Sequence, residues 1–310
     1  MMTLAQRRRA FQQWLGRKAL WWLSLHACRL PEAWVPGFGD WVGDTIRRIS
    51  RRHWRLVLTN MNIAFGKEKT PEELEQLAYA AYHHAGRSLV EFLRMHRMSR
   101  EKLLATANLV GTEHFDQALA QGKGLILLTA HYGNWELGGA RIVAAGYPMN
   151  VIARNQSDPK VTDLLMGQRL AVGMKVIDRD RGAAGAIRAL RRNEIVAILL
   201  DQNASTNGVF VDFFGKQAAT AAGPAGIARK AGSPVVPIFA VRNPDNTHTG
   251  FIQPPLQLEY TEDKQADIVR NTQIMVKVIE EQIRRRPELW FWMHRRWKKR
   301  PPDEEVSPYG

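Results

Sequence analysis

A chain of 310 residues, 45% of them hydrophobic and 24% charged, has enough apolar side chains to bury a sizeable core, which excludes a disordered chain. One cysteine, Cys28, excludes an internal disulfide and any multi-cysteine metal site, which suits a reducing or redox-indifferent compartment, most simply one facing the cytoplasm. The net charge of +14 is concentrated at the two ends: residues 1–55 hold eleven Lys/Arg against three Asp/Glu and residues 284–300 hold eight against one, while the remainder is close to neutral.

The first of these basic segments also holds Trp14, Trp21, Trp22, Trp34, Trp41 and Trp54, and the last holds Trp290, Trp292 and Trp297. Indole among Lys and Arg suits a membrane interface, where rings sit at headgroup level and cations meet lipid phosphates. Nucleic acid could use the same ingredients, but clustering of Trp in apolar contexts such as ALWWLSL favours lipid. The apolar run Ala19 to Cys28 is about ten residues, far short of the roughly 20 needed to span a bilayer, so it is expected to lie on the surface or to pack against the rest of the protein. No secretory cleavage site follows it.

From Pro71 to Met98 the residues Leu74, Leu77, Ala78, Ala81, Ala85, Leu89, Phe92 and Leu93 recur at helical spacing behind Thr70-Pro71 and an acidic first turn, which predicts an amphipathic helix. With residues 11–60 it makes a mainly helical N-terminal portion. After about residue 108 short apolar runs alternate with helical segments. GLILLTA (124–130), MNVIAR (149–154), MKVID (174–178), IVAILLD (195–201), VFVDFF (209–214) and VVPIFAV (235–241) read as strands. Helices are expected near 136–145, 159–172, 183–192 and 221–231, with a long one near 263–286. This alternation implies an α/β fold with a largely parallel central sheet flanked by helices, in which ligands gather beyond the carboxyl ends of the strands.

The stretch AHYGNWE (130–136) sits at such an end, where the run GLILLTA gives way to a helical pattern. His131 and Glu136, five positions apart, would diverge on one helix, but a turn made by Gly133 and Asn134 can bring them together. An imidazole beside an orienting carboxylate is the pairing that a general base requires. A lone histidine at a strand end is more often structural. Here Arg154 at the end of the next strand, Asp201 at the end of IVAILL and Arg169 on a nearby helix converge on the same edge; singly they read as surface charges and a turn cap. There is no G-x-S-x-G elbow, no phosphate-loop motif, no H-E-x-x-H and no Cys/His ligand spacing, so a serine hydrolase of that type, a nucleotide site and a catalytic metal are not expected. What remains is a base without a protein nucleophile, which would activate a hydroxyl of the substrate.

HYGNWE is similar to the H-x-x-x-x-[DE] motif of glycerolipid-type acyltransferases, and its Glu with the preceding Asn-Trp resembles the lipid A late acyltransferase family. LTNMNIAFGKEKTPEELEQLAYAAYHHAGRSLVEF (58–92), DQNASTNGVFVDFFGKQAATAAGPAGIARKAGSPVVP (201–237) and LWFWMHRRWKKRP (289–301) resemble that family in order and spacing, so the likeness covers nearly the whole chain. It implies transfer of a fatty acyl chain from acyl carrier protein to a hydroxyl of a lipid A precursor, at the cytoplasmic face of the cell inner membrane and its anionic lipids, with no cofactor and no nucleic acid partner. His131 takes the base role and Glu136 the supporting one, while Arg169 and Asp201 match positions that the family treats as functional. Arg154, Arg169 and Asp201 are candidates for substrate or oxyanion binding, the oxyanion falling either to Arg169 or to N–H groups at the helix start after His131. The Glu-Gly-Thr-Arg-type block of glycerol-phosphate acyltransferases has no counterpart, which argues against a glycerol phosphate acceptor. On this reading residues 1–60 form a membrane-associating helical segment and residues 61–310 an acyltransferase domain. Another membrane glycolipid or a lysophospholipid remains open as acceptor, and a non-catalytic basic module for nucleic acid or anionic lipid is the more distant possibility.

Overall fold

The computed structural model describes residues 4–154, 156–178, 182–204, 206, 208–302, 304 and 306–309. Four helices open it: α1 (Leu4–Ala27), α2 (Val35–Ile49), α3 (Arg51–Phe65) and α4 (Pro71–Arg94). Helix α4 starts as its sequence predicts. Thr70 Oγ1 accepts from the Glu73 N–H, Glu73 Oε2 accepts from the Thr70 N–H at 2.7 Å, and Pro71 fills a first-turn position where no N–H is needed. Helices α2 and α4 touch through their backbones: a Cβ on Gly43 would fall 2.3 Å from the Tyr82 carbonyl oxygen, and one on Gly86 2.1 Å from that of Gly39. Helix α3 is tied to the other end of the chain, because the buried Asn60 side chain donates to the Trp292 and His294 carbonyls at 2.7 and 2.8 Å.

Beyond α5 (Arg100–Thr106) strands and helices alternate: β1 (Ala107–Val110), α6 (Thr112–Leu119), β2 (Leu125–Thr129), α7 (Trp135–Ala144), β3 (Met149–Ala153), α8 (Pro159–Ala171), β4 (Lys175–Asp178), α9 (Gly182–Arg191) and β5 (Ile195–Leu199). A hairpin, β6 (Gly208–Phe213) and β7 (Lys216–Ala221), leads to α10 (Gly223–Ala231), β8 (Val235–Arg242), β9 (His248–Ile252) and the long α11 (Lys264–Arg285). Seven strands form one sheet in the order β1-β9-β8-β2-β5-β3-β4. The five from β8 to β4 run parallel; β9 is antiparallel to β8, and β1 runs with β9. The fold is therefore the expected α/β arrangement with a largely parallel sheet.

The unbroken apolar runs follow from burial on both faces. Leu125, Leu127, Ile195 and Ala197 join a core with Leu137 and Ile142 of α7, while Ile126, Leu128, Val196 and Ile198 join a second with Ala186 and Leu190 of α9 and Ile279 of α11. Three strands lie outside the sequence expectations. β1 has only four residues, β7 reads KQAATA with one β-branched residue, and β9 reads HTGFI, whose first three residues carry no apolar run. The VFVDFF strand forms as expected but joins no layer of the central sheet: it pairs antiparallel with β7 through a two-residue turn, Phe214-Gly215, whose φ values of 57° and 71° are those of a primed hairpin turn.

Candidate active site

Strands β2 and β5 pair with Thr129 opposite Leu199. Continued past the strand ends, the same register sets His131 beside Asp201, 70 residues away in sequence. Asp201 Oδ1 lies 2.9 Å from His131 Nδ1, and Oδ2 accepts from the His131 backbone N–H at 2.9 Å and from the Trp290 indole N–H at 2.7 Å. A carboxylate only accepts, so Nδ1 carries the hydrogen and Nε2 keeps a lone pair. The Gln202 side-chain amide faces that Nε2 at 3.3 Å. Burial alone would raise the Asp201 pKa. The charge and hydrogen bonds of His131 and the Trp290 N–H more than offset it and hold the carboxyl at about 2.

Glu136 does not make the contact expected of it. Its carboxylate is bidentate with Arg169, Oε2 accepting from Nε at 3.0 Å and Oε1 from Nη2 at 2.5 Å. The physical reason lies in the two elements: the first turn of α7 directs Glu136 toward α8, where Arg169 sits, while strand register fills the Nδ1 side of His131 with Asp201. Burial would lower the Arg169 pKa, but the hydrogen bonds and charge of Glu136 more than reverse this and raise it. Arg169 also lies over the Phe92 ring, 5.8 Å from its centroid. Arg154 is exposed at the lip of the cleft, outside the His131 cluster.

The turn between β2 and α7 is held from three sides. The Gly133 N–H donates to the Leu289 carbonyl at 2.8 Å and the Phe291 N–H to that of His131 at 2.9 Å, so residues 289–291 lie antiparallel to 131–133. On the other side Gly133 meets β8. With φ of +59° and a would-be Cβ only 1.5 Å from the Ala240 carbonyl oxygen, this position admits glycine alone. Asn134 caps α7, its Oδ1 accepting from the Leu137 N–H at 3.0 Å.

Trp290 and Gln202 are site residues that sequence reasoning missed. The DQN run signalled Gln202 only through its neighbour Asp201. Trp290 was obscured by the basic residues around it, which pointed the C-terminal tryptophans at a membrane interface. That expectation is corrected: Trp290, Trp292 and Trp297 are buried at 2%, 1% and 0% exposure, in a ring cluster with Phe213. By contrast Trp14, Trp21, Trp22, Trp34 and Trp41 are exposed.

His131, Trp135, Glu136, Arg169 and Gln202 line the polar part of a cleft of about 950 Å³. It continues between α7 and the sheet along Leu127, Ile142, Met149 and Met174, and toward α10 along Ile198 and Ile227. A histidine held through Nδ1, with Nε2 facing only the Gln202 amide at the polar mouth of an apolar cleft, is suited to taking a proton from a hydroxyl beside a bound hydrocarbon. Among the described residues no group of three His, Cys, Asp or Glu is arranged to hold a metal ion.

The family model for bacterial lipid A biosynthesis acyltransferase matches residues 3–299. This chain belongs to that family. It is 28% identical to the lipid A biosynthesis lauroyltransferase of Escherichia coli K12 over 290 residues, 93% of this chain and 92% of that one. It is 26% identical to the lipid A biosynthesis palmitoleoyltransferase of the same organism over 295 residues, covering 94% and 92%. A phosphatidylinositol mannoside acyltransferase of Mycobacterium tuberculosis is 25% identical over 284 residues, covering 89% and 86%. Membership of the lipid A biosynthesis acyltransferases makes this protein one of a family of enzymes that transfer acyl groups, as the motif resemblance implies.

Proposed function

We propose that this protein transfers a fatty acyl chain from acyl carrier protein to a hydroxyl of a lipid A precursor at the cytoplasmic face of the inner membrane. The observation that carries the chemistry is His131, oriented through Nδ1 by the buried Asp201 with Nε2 directed to the cleft. Nε2 takes the proton of the acceptor hydroxyl as that oxygen attacks the thioester carbonyl. Asp201 holds the tautomer and stabilises the imidazolium. The tetrahedral intermediate then expels the thiol, which leaves as the C–S bond breaks and receives the proton back from His131. No acyl-enzyme is formed.

Glu136 supports the site through Arg169, fixing a guanidinium at the cleft wall where developing negative charge and substrate phosphates would lie. First-turn N–H groups of α7 that the Asn134 cap leaves free are the second source of oxyanion donors. The acyl chain occupies the apolar arm beneath α7. Phe11, Trp14, Trp21 and Trp22, exposed on α1 beside Arg17 and Lys18, support shallow attachment to anionic lipid. No helix among the described residues is long and apolar enough to cross a membrane.

A second reading, acyl transfer to a phosphatidylinositol mannoside, is favoured by the relatives of that name. The test is mass spectrometry of lipids from cells with and without this protein, paired with purified enzyme given acyl carrier protein thioesters or coenzyme A thioesters. Loss of one acyl chain from lipid A, restored by the wild type and not by His131→Ala, is the expected result. Unchanged lipid A with an under-acylated mannoside would move the assignment to the second acceptor.

A further inference from the structure

Asn134 has two ends, and only one is used by the helix it caps. While Oδ1 accepts from the Leu137 N–H, Nδ2 points away from α7 and donates to Glu91 Oε2 on α4 at 2.6 Å. Glu91 is gripped from behind by Arg242 at the end of β8, with Nη1 at 2.5 Å from Oε1 and Nη2 at 2.7 Å from Oε2. Asn134 and Arg242 are both buried, and the buried His248 lies 3.6 Å from Oε2. A line of hydrogen bonds therefore runs from the sheet, through a residue of α4, to the residue that joins the catalytic turn to α7.

The chemistry of the acceptor matters. An amide can be turned end for end with little change in shape, and only one orientation caps the helix. Glu91 as a carboxylate has no hydrogen to give, so it accepts Nδ2 and repels Oδ1, which forces Oδ1 toward Leu137. Arg242 keeps Glu91 ionised and fixed in plane. Aspartate would serve as well as asparagine in an ordinary helix cap, but here it would set two carboxylates face to face.

We infer that Glu91 and Arg242 are positioning residues of the acyl-transfer site, which set the Asn134 amide and through it the placement of His131 and Glu136 on either side of the turn. They touch neither substrate nor reacting atoms. The kinetic consequence rests on the acyl-transfer reading above, whereas the structural one does not. A displacement of His131 by a fraction of an ångström to 1 Å weakens proton transfer without emptying the cleft, so kcat falls while KM stays near its original value.

The test compares Glu91→Gln, Asn134→Asp and the E91Q/N134D double variant. Each single variant is expected to lose about tenfold or more in kcat with KM changed less than about threefold. The double variant restores a donor and an acceptor between positions 91 and 134 but turns the position-91 amide nitrogen toward Arg242 Nη2, from which Glu91 Oε2 accepts in the wild type, so it is expected to recover part of the loss. Asn134→Ser keeps a capping oxygen but cannot reach Glu91, so it should lose kcat as well. Should Glu91→Gln fail to fold, Asn134→Ser and the double variant carry the same comparison. Hydrogen exchange reads the brace without substrate: Glu91→Gln should speed exchange at residues 135–138 and leave β2 and β5 as they are. Full kcat in Glu91→Gln and Asn134→Asp with unchanged exchange at 135–138, or a double variant no better than its parents, would overturn the inference. A wild type that transfers no acyl chain yet shows the exchange difference would overturn the acyl-transfer reading and leave the brace standing.

Discussion

At position 133 a single methyl group decides whether the site exists. Gly133→Ala would place a Cβ 1.5 Å from the Ala240 carbonyl oxygen at a positive φ, so the turn must move or the sheet must part. Loss of acyl transfer and a markedly lower Tm are the expected outcomes; a fully active, equally stable variant would show that the turn relaxes freely. Among the polar residues, His131→Ala is expected to abolish transfer with the fold retained by circular dichroism. Asp201→Asn should cost about 10²-fold or more in kcat, because a neutral amide permits the wrong tautomer and leaves the imidazolium unsupported. Glu136 and Arg169 form one ion pair, so Glu136→Ala, Arg169→Ala and the double variant should be clearly non-additive when kcat/KM values are compared as free energies. Additive losses would mean that the two side chains act apart.

Among the elements, α1 and the C-terminal segment look alike in composition and differ in placement. Both carry Trp among Arg and Lys, but α1 leaves Phe11, Trp14, Trp21 and Trp22 exposed, whereas Trp290, Trp292 and Trp297 are interior. The triple substitution Trp14→Ser, Trp21→Ser and Trp22→Ser is therefore expected to weaken binding to anionic vesicles roughly tenfold or more in a sedimentation assay while leaving the melting curve nearly unchanged. High salt should weaken the wild type only in part, since screening acts on the charges and not on indole burial. Vesicle binding that survives the triple substitution would place the contact on another surface, with Trp34 and Trp41 the next exposed aromatics.

For the whole molecule, three histidines tie stability to acid, His84 and His248 buried and His294 half-buried. Burial pushes His84 down to about 3 and His248 and His294 down to about 4, from an ordinary value of 6.5. The unfolded chain takes up these protons near pH 6.5 and the folded one only at lower pH, so between those values the unfolded state binds more protons. Stability from the neutral rings is present above pH 6.5 and is lost as pH falls toward 4 and 3. Tm should decline steadily over that window, before the depressed carboxyl of Asp201, at about 2, begins to titrate. A Tm that is flat from pH 6.5 to 4 would contradict the burial of these rings in solution.

Local sequence patterns specified most of the elements and the position of the candidate site. Helical spacing from Leu74 to Leu93, the Thr70-Pro71 start and the apolar runs around 125–129 and 195–199 are local patterns, set by the periods of helix and strand, and they could be read residue by residue. HYGNWE marked a strand-to-helix turn for the same reason. Which acid meets His131 was not local. Glu136 is five residues away and faces Arg169, while Asp201 is 70 residues away and arrives through the register of β2 on β5. The inward turn of Trp290, the bond from Asn134 to Glu91 and the edge strands β1 and β9 were likewise decided only by tertiary structure. Register, strand order and the burial of a basic, aromatic segment depend on packing summed over distant parts of the chain, and no short window of residues contains that sum.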